Sequence, residues 1–250
     1  PAHGAQACGE TGAGRMLEPL DVLQALENIY SSGPLTGHRV LITAGPTREP
    51  IDPVRFISNR SSGRMGYALA HAAQALGAQV TLISGPVALT PPAKVNTHSV
   101  SSAQEMFEAV MAHVNDSDIF IATAAVADYR PQHPAREKLK KQAHPLSLPL
   151  EPTIDILAQV ANQPQPPFTV GFAAETEQLA HYAADKLRRK KLNMIAANRV
   201  DIEGIGFDSE ENALTVFWAE GSISLPKTSK SALAQQLMAL IIEHYFKYQG

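Results

Sequence analysis

Cysteine is nearly absent: Cys8 is the single one in 250 residues. One thiol cannot close an intrachain disulfide or build a cysteine-based zinc cluster, so a reducing, cytoplasmic setting is expected. Charge of one sign is not in excess: the formal net charge is −3 with 18% charged residues. That leaves no basic footprint for nucleic acid. No apolar run approaches the roughly 18 residues that cross a bilayer, and no secretory leader pattern is visible. Two fingerprints are missing. No G-x-G-x-x-G follows a strand, and the Gly12-x-Gly14 pair has no strand before it. No acidic residue closes the second strand, and no G-x-x-x-x-G-K-[ST] occurs, so NAD enzymes and ordinary P-loop ATPases are disfavoured. The nine histidines never form H-x-x-x-H or pair with Cys8, which argues against a protein-held zinc. A G-x-S-x-G elbow is lacking too.

What is present is an ordinary globular balance, 44% hydrophobic, enough for one large domain or two smaller ones. The chain opens at Pro1 rather than Met, so a piece of something longer is expected. The stretch Thr43 to Gly66 stands out. A buried apolar run, Val40-Leu41-Ile42, leads in, and a helical pattern from Tyr67 to Leu76 leads out. Strand–helix links usually take about two to six residues. This one is far longer, rich in Gly, Pro, Ser, Asn and Arg, and ends in Ser61-Ser62-Gly63 where a helix begins. Helix N-termini carry unpaired N–H groups and partial positive charge, so they suit phosphate or carboxylate. Two readings stay open: an anion-binding loop with Arg48, Arg55, Asn59 and Arg60 as donors, or a capped helix after a long surface loop.

Along the chain, residues 1–16 are Gly-rich and aperiodic, and a short helix is expected over Asp21 to Tyr30. Ser31-Ser32-Gly33-Pro34 breaks it, giving a linker over 31–36 and a second domain over 37–250. Strands are expected at Arg39–Thr43, Gln79–Ser84, Asp118–Ala124, Phe168–Phe172 and Met194–Ala197. Helices are expected from Ser62 to Leu76, from Ser102 to Val114, from Thr153 or Asp155 to Ala161, from Glu177 to Lys191 and from Lys230 to Tyr248. Residues 130–152 read as irregular. Asn212–Trp218 alternates and turns at Gly221-Ser222 into Ile223-Ser224-Leu225. Short apolar strands alternating with helices predict an α/β fold: a doubly wound, mostly parallel, Rossmann-like sheet with helices on both faces and a C-terminal antiparallel add-on. In such sheets ligands sit beyond the carboxyl ends of the strands. That gathers Gly45 to Asn59, Ser84-Gly85, Ala124 to Tyr129, Phe172 to Thr176 and Asn198 on one rim.

Ala124-Ala125-Val126-Ala127-Asp128-Tyr129 carries the clearest chemistry there. Small residues at a strand end let a ring or a phosphate approach the backbone. Asp128 can accept from sugar hydroxyls or help hold a metal, or it caps a packed junction. Lys138, Lys140 and Lys141 either close over polyphosphate, stabilising charge in nucleotidyl transfer, or form a solvated run. Lys186 and Lys190 share a helix face at i, i+4. They bind phosphates or suit the negative end of their own helix. Any metal is expected to be Mg²⁺ carried in with polyphosphate, which needs few protein ligands.

These segments taken together, I-T-A-G-P-T-R-E-P-I-D-P-V-R, I-S-N-R-S-S-G-R-M-G, A-A-V-A-D-Y-R-P, E-K-L-K-K, G-F-A-A-E-T and A-N, resemble phosphopantothenoylcysteine synthetase of coenzyme A biosynthesis. The resemblance runs from about Gly37 to the C-terminus. The N-terminal A-C-G-E-T-G-A-G-R-M-L-E-P is similar to the end of phosphopantothenoylcysteine decarboxylase, its substrate clamp and flap. Residues 1–30 would be that remnant, with Cys8 matching the decarboxylase's catalytic cysteine. The FMN-binding body is not in the sequence. The resemblance implies CTP-dependent ligation of 4′-phosphopantothenate and L-cysteine through an acyl cytidylate, with pyrophosphate and CMP released. It also implies a homodimer, attached in full-length proteins to a flavin-dependent decarboxylase, with no nucleic acid or membrane partner.

The resemblance assigns Asn59 to the acyl-cytidylate intermediate and Lys138 of a mobile flap to its formation. It places Ala122, Thr123, Ala124, Asp128, Lys138, Phe172, Lys186 and Lys190 around CTP. Gly45, Asn59, Ser61, Gly63 and Gly66 form the substrate and phosphate loop. Residues 151–154 match a nucleotide-contact segment only loosely. Strand Ala213–Trp218 either adds to a neighbouring subunit's sheet or forms a local hairpin. The rival readings are a non-catalytic nucleotide-binding or assembly module and a nucleotide-modifying oxidoreductase.

Overall fold

The computed structural model describes residues 2–5, 11–15, 19, 33–141, 146–175, 179–199 and 211–250. Two short strands, β1 (Ala2–Ala5) and β2 (Thr11–Arg15), pair antiparallel. Cys8 and the helix expected over Asp21 to Tyr30 lie outside the described residues. Packing of the main body starts at the end of the expected linker. Leu35 is fully buried and its N–H donates to Leu76 O at 3.0 Å.

β3 (Arg39–Ala44) is buried after its first residue. The long link beyond it is not irregular throughout. β4 (Arg48–Pro50) and β5 (Phe56–Ser58) form an antiparallel hairpin inside it. The chain continues through α1 (Arg64–Ala75), β6 (Gln79–Ser84), the short β7 (Asn96–Ser99) and α2 (Ala103–His113). Ser102 caps α2 by accepting from Glu105 N–H at 3.2 Å, and the Glu105 carboxylate reaches back to Ser101 N–H at 2.7 Å. This reciprocal bonding satisfies donors that a helix start leaves unpaired. β8 (Ile119–Ala122) follows. The span expected to be irregular holds β9 (Tyr129–Pro131) and β10 (Leu150–Pro152), paired antiparallel. Arg130 opposes Glu151 in that pair, and the two meet at 2.8 Å. The remainder is α3 (Ile156–Ala161), β11 (Phe168–Glu175), α4 (Leu179–Arg189), β12 (Met194–Arg199), β13 (Glu211–Trp218), β14 (Gly221–Ser229) and α5 (Lys230–Gln249).

The main sheet has eight strands in the order β14-β13-β12-β11-β8-β3-β6-β7. From β12 to β7 every neighbour is parallel, while β13 and β14 join antiparallel. Strands step outward from β3 to β6 and β7, then the chain returns to β8 on the other side of β3. The switch point therefore lies between β3 and β8, where open α/β sheets bind ligands.

Period-two alternation of side chains builds two cores. Val40, Ile42, Val80, Leu82, Ile119 and Ile121 pack with Leu69, Ala73, Leu233 and Ile241 of α1 and α5. Leu41, Ile83, Phe120 and Ile195 face the other way, onto Met106, Val110, Val160 and Leu187 of α2, α3 and α4. Each such Leu or Ile, removed from water, contributes about 1.5–3 kcal/mol. The sheet is thus covered on both faces, as the unbroken apolar strands predict.

β13 answers the question left open for residues 213–218. It pairs with β12 on one side and β14 on the other. Both of its edges are used within its own sheet, so it has none left to lend to a neighbouring subunit. The outer edge belongs to β14.

Candidate functional site

At the switch point the loops leaving β3 and β8 are zipped together by main chain. Thr123 N–H donates to Thr43 O at 3.2 Å, and the Thr123 hydroxyl bonds the same carbonyl. Ala125 N–H donates to Gly45 O at 2.9 Å, and Thr47 N–H returns to Ala125 O at 3.3 Å. Ala127 N–H donates to the Thr47 hydroxyl at 3.0 Å. Small side chains permit this approach. A cleft of about 440 Å³ opens above the junction.

One wall is the start of α1. Gly63 precedes it with φ +74°, a left-handed backbone that favours glycine, and no side chain caps the helix. Gly66 sits in the first turn against the end of β3. A Cβ there would fall 2.5 Å from both Ala44 Cβ and Thr123 Oγ1. The helix can therefore lie directly over the strand end, with its first turn at the cleft. Ser61, Ser62, Gly63, Arg64 and Gly66 all line it.

The opposite wall is built by α3 and α4. Lys186 Nζ donates to Phe172 O at 3.0 Å. Lys190 Nζ meets Asp155 Oδ2 at 2.6 Å. Asp155 also caps α3, its Oδ1 accepting from Ala158 N–H at 3.1 Å. Burial opposes ionisation of Asp155. The Lys190 hydrogen bond, the Ala158 N–H and the charges of Lys190 and Lys186 outweigh it and hold the carboxyl below its ordinary 3.8.

Of the residues singled out from sequence, Asn59, Ser61, Gly63, Gly66, Ala122, Thr123, Ala124, Asp128, Phe172, Lys186 and Lys190 share this one cleft. Asn59 Nδ2 donates to Ala125 O at 3.3 Å and Val126 O at 3.0 Å, tying the two loops across the opening. Asp128 is exposed at the mouth, and its carbonyl accepts from Thr153 N–H at 2.9 Å. Gly45 backs the floor instead of lining it. Lys138 is exposed and outside the lining. Arg55, read as an anion donor, spends its guanidinium on Asp52 and Leu139 O. Arg48 lies over the Phe56 ring, 4.6 Å from its centroid. Cys8 lies outside the described residues.

Sequence reasoning missed Asn212 and Lys230, which line the far end and are buried. The strand-end rule was applied only to parallel strands. β13 runs against β12, so its beginning reaches that rim, and β14, antiparallel to β13, again runs with the main strands and brings its end there. The Asp155–Lys190 pair was also missed, although Asp155 was read as a helix start.

Asp128 and Asp155 are the carboxylates of the lining. Among the described residues no group of three or more His, Cys, Asp or Glu is placed to hold a metal. The donor set fits a cation that arrives with its own oxygen ligands, with Asp128 free of the ion pair that occupies Asp155.

Residues 35–245 match the family model described as the DNA/pantothenate metabolism flavoprotein C-terminal domain. The coenzyme A biosynthesis bifunctional protein CoaBC of Vibrio cholerae is 56% identical over 246 residues, 97% of this chain and 62% of that protein. The Escherichia coli CoaBC is 47% identical over 250 residues, 98% of this chain and 62% of that protein. The chain spans about three fifths of the length of these curated relatives. Among solved structures, the C-terminal domain of a CoaBC superposes with TM-score 0.73 at 45% identity, covering 85% of this chain and 97% of that one. A Cab2 mutant in complex with phosphopantothenate-cysteine shares the fold at TM-score 0.70 and 17% identity, covering 92% of this chain and 90% of that one. The chain belongs to the family of DNA/pantothenate metabolism flavoprotein C-terminal domains.

Proposed function

We propose that this chain joins 4′-phosphopantothenate to L-cysteine at the expense of CTP, within coenzyme A biosynthesis. The carrying observation is the single cleft at the switch point. It sets an uncapped helix start, three lysines, Asn59 and a floor of main chain around one space of about 440 Å³. The names of the curated relatives support the same pathway.

In the first step a carboxylate oxygen of 4′-phosphopantothenate attacks the α-phosphorus of CTP. The bond to the β-phosphate oxygen breaks, and pyrophosphate leaves. In the second step the amine of cysteine attacks the acyl carbon, CMP departs with the bonding pair, and the amine loses a proton. A carboxylate is a poor acyl donor because its leaving group would be oxide; CMP removes that obstacle. The protein's task is positioning and charge neutralisation.

The first N–H groups of α1 suit a phosphate or carboxylate. Lys186 and Lys190 neutralise polyphosphate from the opposite wall, and Lys138 supplies charge as pyrophosphate departs. Asn59 offers its amide to an acyl or phosphoryl oxygen without adding charge. Main-chain groups of 122–126 and the Phe172 ring hold the base, and Asp128 accepts from ribose hydroxyls. Mg²⁺ bound to the phosphates would further offset their charge. In the full-length protein this unit is joined to the flavin-dependent decarboxylase, and the synthetase units form a homodimer.

The test is pyrophosphate release from CTP, measured without and with 4′-phosphopantothenate and then with cysteine. Release only when 4′-phosphopantothenate is present, followed by CMP when cysteine is added, is expected. Nucleotide binding with no release under any combination would overturn the reading in favour of a non-catalytic module.

A further inference from the structure

The hairpin of β4 and β5 turns through residues 51–55, and the turn is closed by an unusually saturated carboxylate. The Asp52 side chain has no exposed surface. Its Oδ1 accepts from the N–H groups of Val54 at 2.9 Å and Arg55 at 2.8 Å. Its Oδ2 accepts from Arg55 Nε at 3.0 Å and Nη2 at 2.5 Å. The fifth donor is not local: Leu139 N–H, 87 residues away, bonds Oδ2 at 3.1 Å.

Arg55 completes the connection. Its Nη2 donates to Leu139 O at 3.0 Å. Both main-chain groups of one residue are therefore held, the N–H by Asp52 and the carbonyl by Arg55. A further bond, Ala135 N–H to Ile51 O at 2.9 Å, fastens the same segment to the same turn. The residue immediately before the clamped Leu139 is Lys138, whose side chain is exposed. The turn itself continues through β5 into Asn59, at the cleft mouth. One carboxylate thus joins the arm that carries Asn59 to the arm that carries Lys138.

A turn needs only local partners to close. Val54 N–H, Arg55 N–H and the guanidinium would suffice for that. The long-range donor is what a purely local role leaves unexplained. An ordinary aspartate in a tight turn is half solvated, whereas this one is sealed and fully bonded, so its geometry has little freedom.

We propose that Asp52 is a positioning residue: through Arg55 and the backbone of Leu139 it fixes the point from which Lys138 reaches the nucleotide during pyrophosphate release. This rests on the role assigned to Lys138 above. Asp52 touches neither substrate nor reacting atom and acts only through the clamp. Displacing a catalytic group by about 1 Å costs on the order of 100-fold in rate.

The test uses the chain as it stands, with Asp52→Asn, Lys138→Gln and the double variant. Hydrogen exchange at the segment around Leu139 reads the clamp directly. Pyrophosphate release with CTP and 4′-phosphopantothenate, cysteine omitted, reads the first half-reaction. Asp52→Asn is expected to speed exchange at Leu139 and to slow release roughly 10- to 100-fold, mainly in kcat with KM for CTP little changed. Adding Asp52→Asn to Lys138→Gln is expected to cost nothing further. Unchanged release in Asp52→Asn with Lys138→Gln impaired would overturn the positioning role alone. Multiplying losses in the double variant would overturn it too, since Asp52 would then act apart from Lys138. Normal release by Lys138→Gln would overturn the assigned role of Lys138, and the positioning role with it. If Asp52→Asn fails to give a cooperative melt, replacing Leu139 by its α-hydroxy acid, a backbone ester with the same side chain, removes the N–H donor without proline's restriction of Lys138 and leaves the Asp52–Arg55 pair. Faster exchange and slower release are again expected, and undiminished release would refute the proposal.

Discussion

Lys190 reaches Asp155 with Nζ 2.6 Å from Oδ2, although both residues line the space assigned to CTP. The lysine is 16% exposed and the aspartate 48%. Part of the positive charge in the cleft is thus already answered by the protein. Asp155 has two duties that one substitution can separate, because Asn caps helices about as well as Asp. Asp155→Asn is expected to leave the melting temperature nearly unchanged while freeing the Lys190 charge. A unit charge at about 4 Å in a watery site is worth about 1 kcal/mol, so CTP should bind on the order of fivefold tighter. Asp155→Ala should instead also lose about 1 kcal/mol of stability with the cap. Calorimetric CTP titration and thermal melts check both.

Lys138→Gln and Asn59→Asp are expected to fail at different points. Lys138→Gln should cut pyrophosphate release to a small residual rate with the fold intact. Asn59→Asp places a negative charge beside phosphate and beside Ala125 O and Val126 O, which Asn59 now satisfies. Turnover should collapse, with acyl cytidylate accumulating. Mass spectrometry of quenched single turnovers distinguishes the two, and full activity in either variant removes that residue from the site.

Gly66→Ala adds a Cβ 2.5 Å from Ala44 Cβ and Thr123 Oγ1. Neither neighbour is the end of a long flexible chain, so α1 must lift. Overpacking of this kind costs about 1–3 kcal/mol, and the first turn of α1 moves away from the cleft. A lower melting temperature together with weaker CTP binding is expected. Loss of one without the other would separate the packing of Gly66 from the site.

Asp52 gives a pH signature. The Arg55 guanidinium, with the N–H groups of Val54, Arg55 and Leu139, outweighs burial and holds its carboxyl well below the ordinary 3.8. A carboxyl depressed in the folded state stabilises fully above its unfolded value, and that contribution fades as pH falls through the window beneath it. The stability gap between the unaltered chain and Asp52→Asn should therefore be widest near neutrality and narrow below about pH 4. Urea unfolding at neutral and acidic pH reads this, and a gap independent of pH would contradict it.

Much of this was legible in the chain. Short β-branched runs such as Val40-Leu41-Ile42 and Ile119-Phe120-Ile121, bounded by turn residues, favour strands buried on both faces, and Ser102 and Asp155 announced their helices by side-chain chemistry. The strand-end rule then gathered Asn59, Asp128 and Phe172 without any contact information. What stayed hidden depends on partners distant in sequence. β4, β5, β9 and β10 are each three residues long, too short for periodicity to register. Arg55 looked like a surface donor because nothing in the sequence says that Asp52 and Leu139 will claim it. Lys230 reads as the first residue of the closing helix until the pairing of β14 with β13 sets its end beside the other strand ends at the cleft.

The floor of the cleft is main chain of Thr43 and of residues 122–126, backed by the zipped loop of Gly45 and Thr47. Substitution changes side chains and leaves the main chain in place. An inhibitor that reads this floor alone would press on a surface that point mutation can hardly erase. Resistance would have to arise from the walls, at Phe172, Lys186 or Lys190, where the proposed hold on the nucleotide would suffer as well.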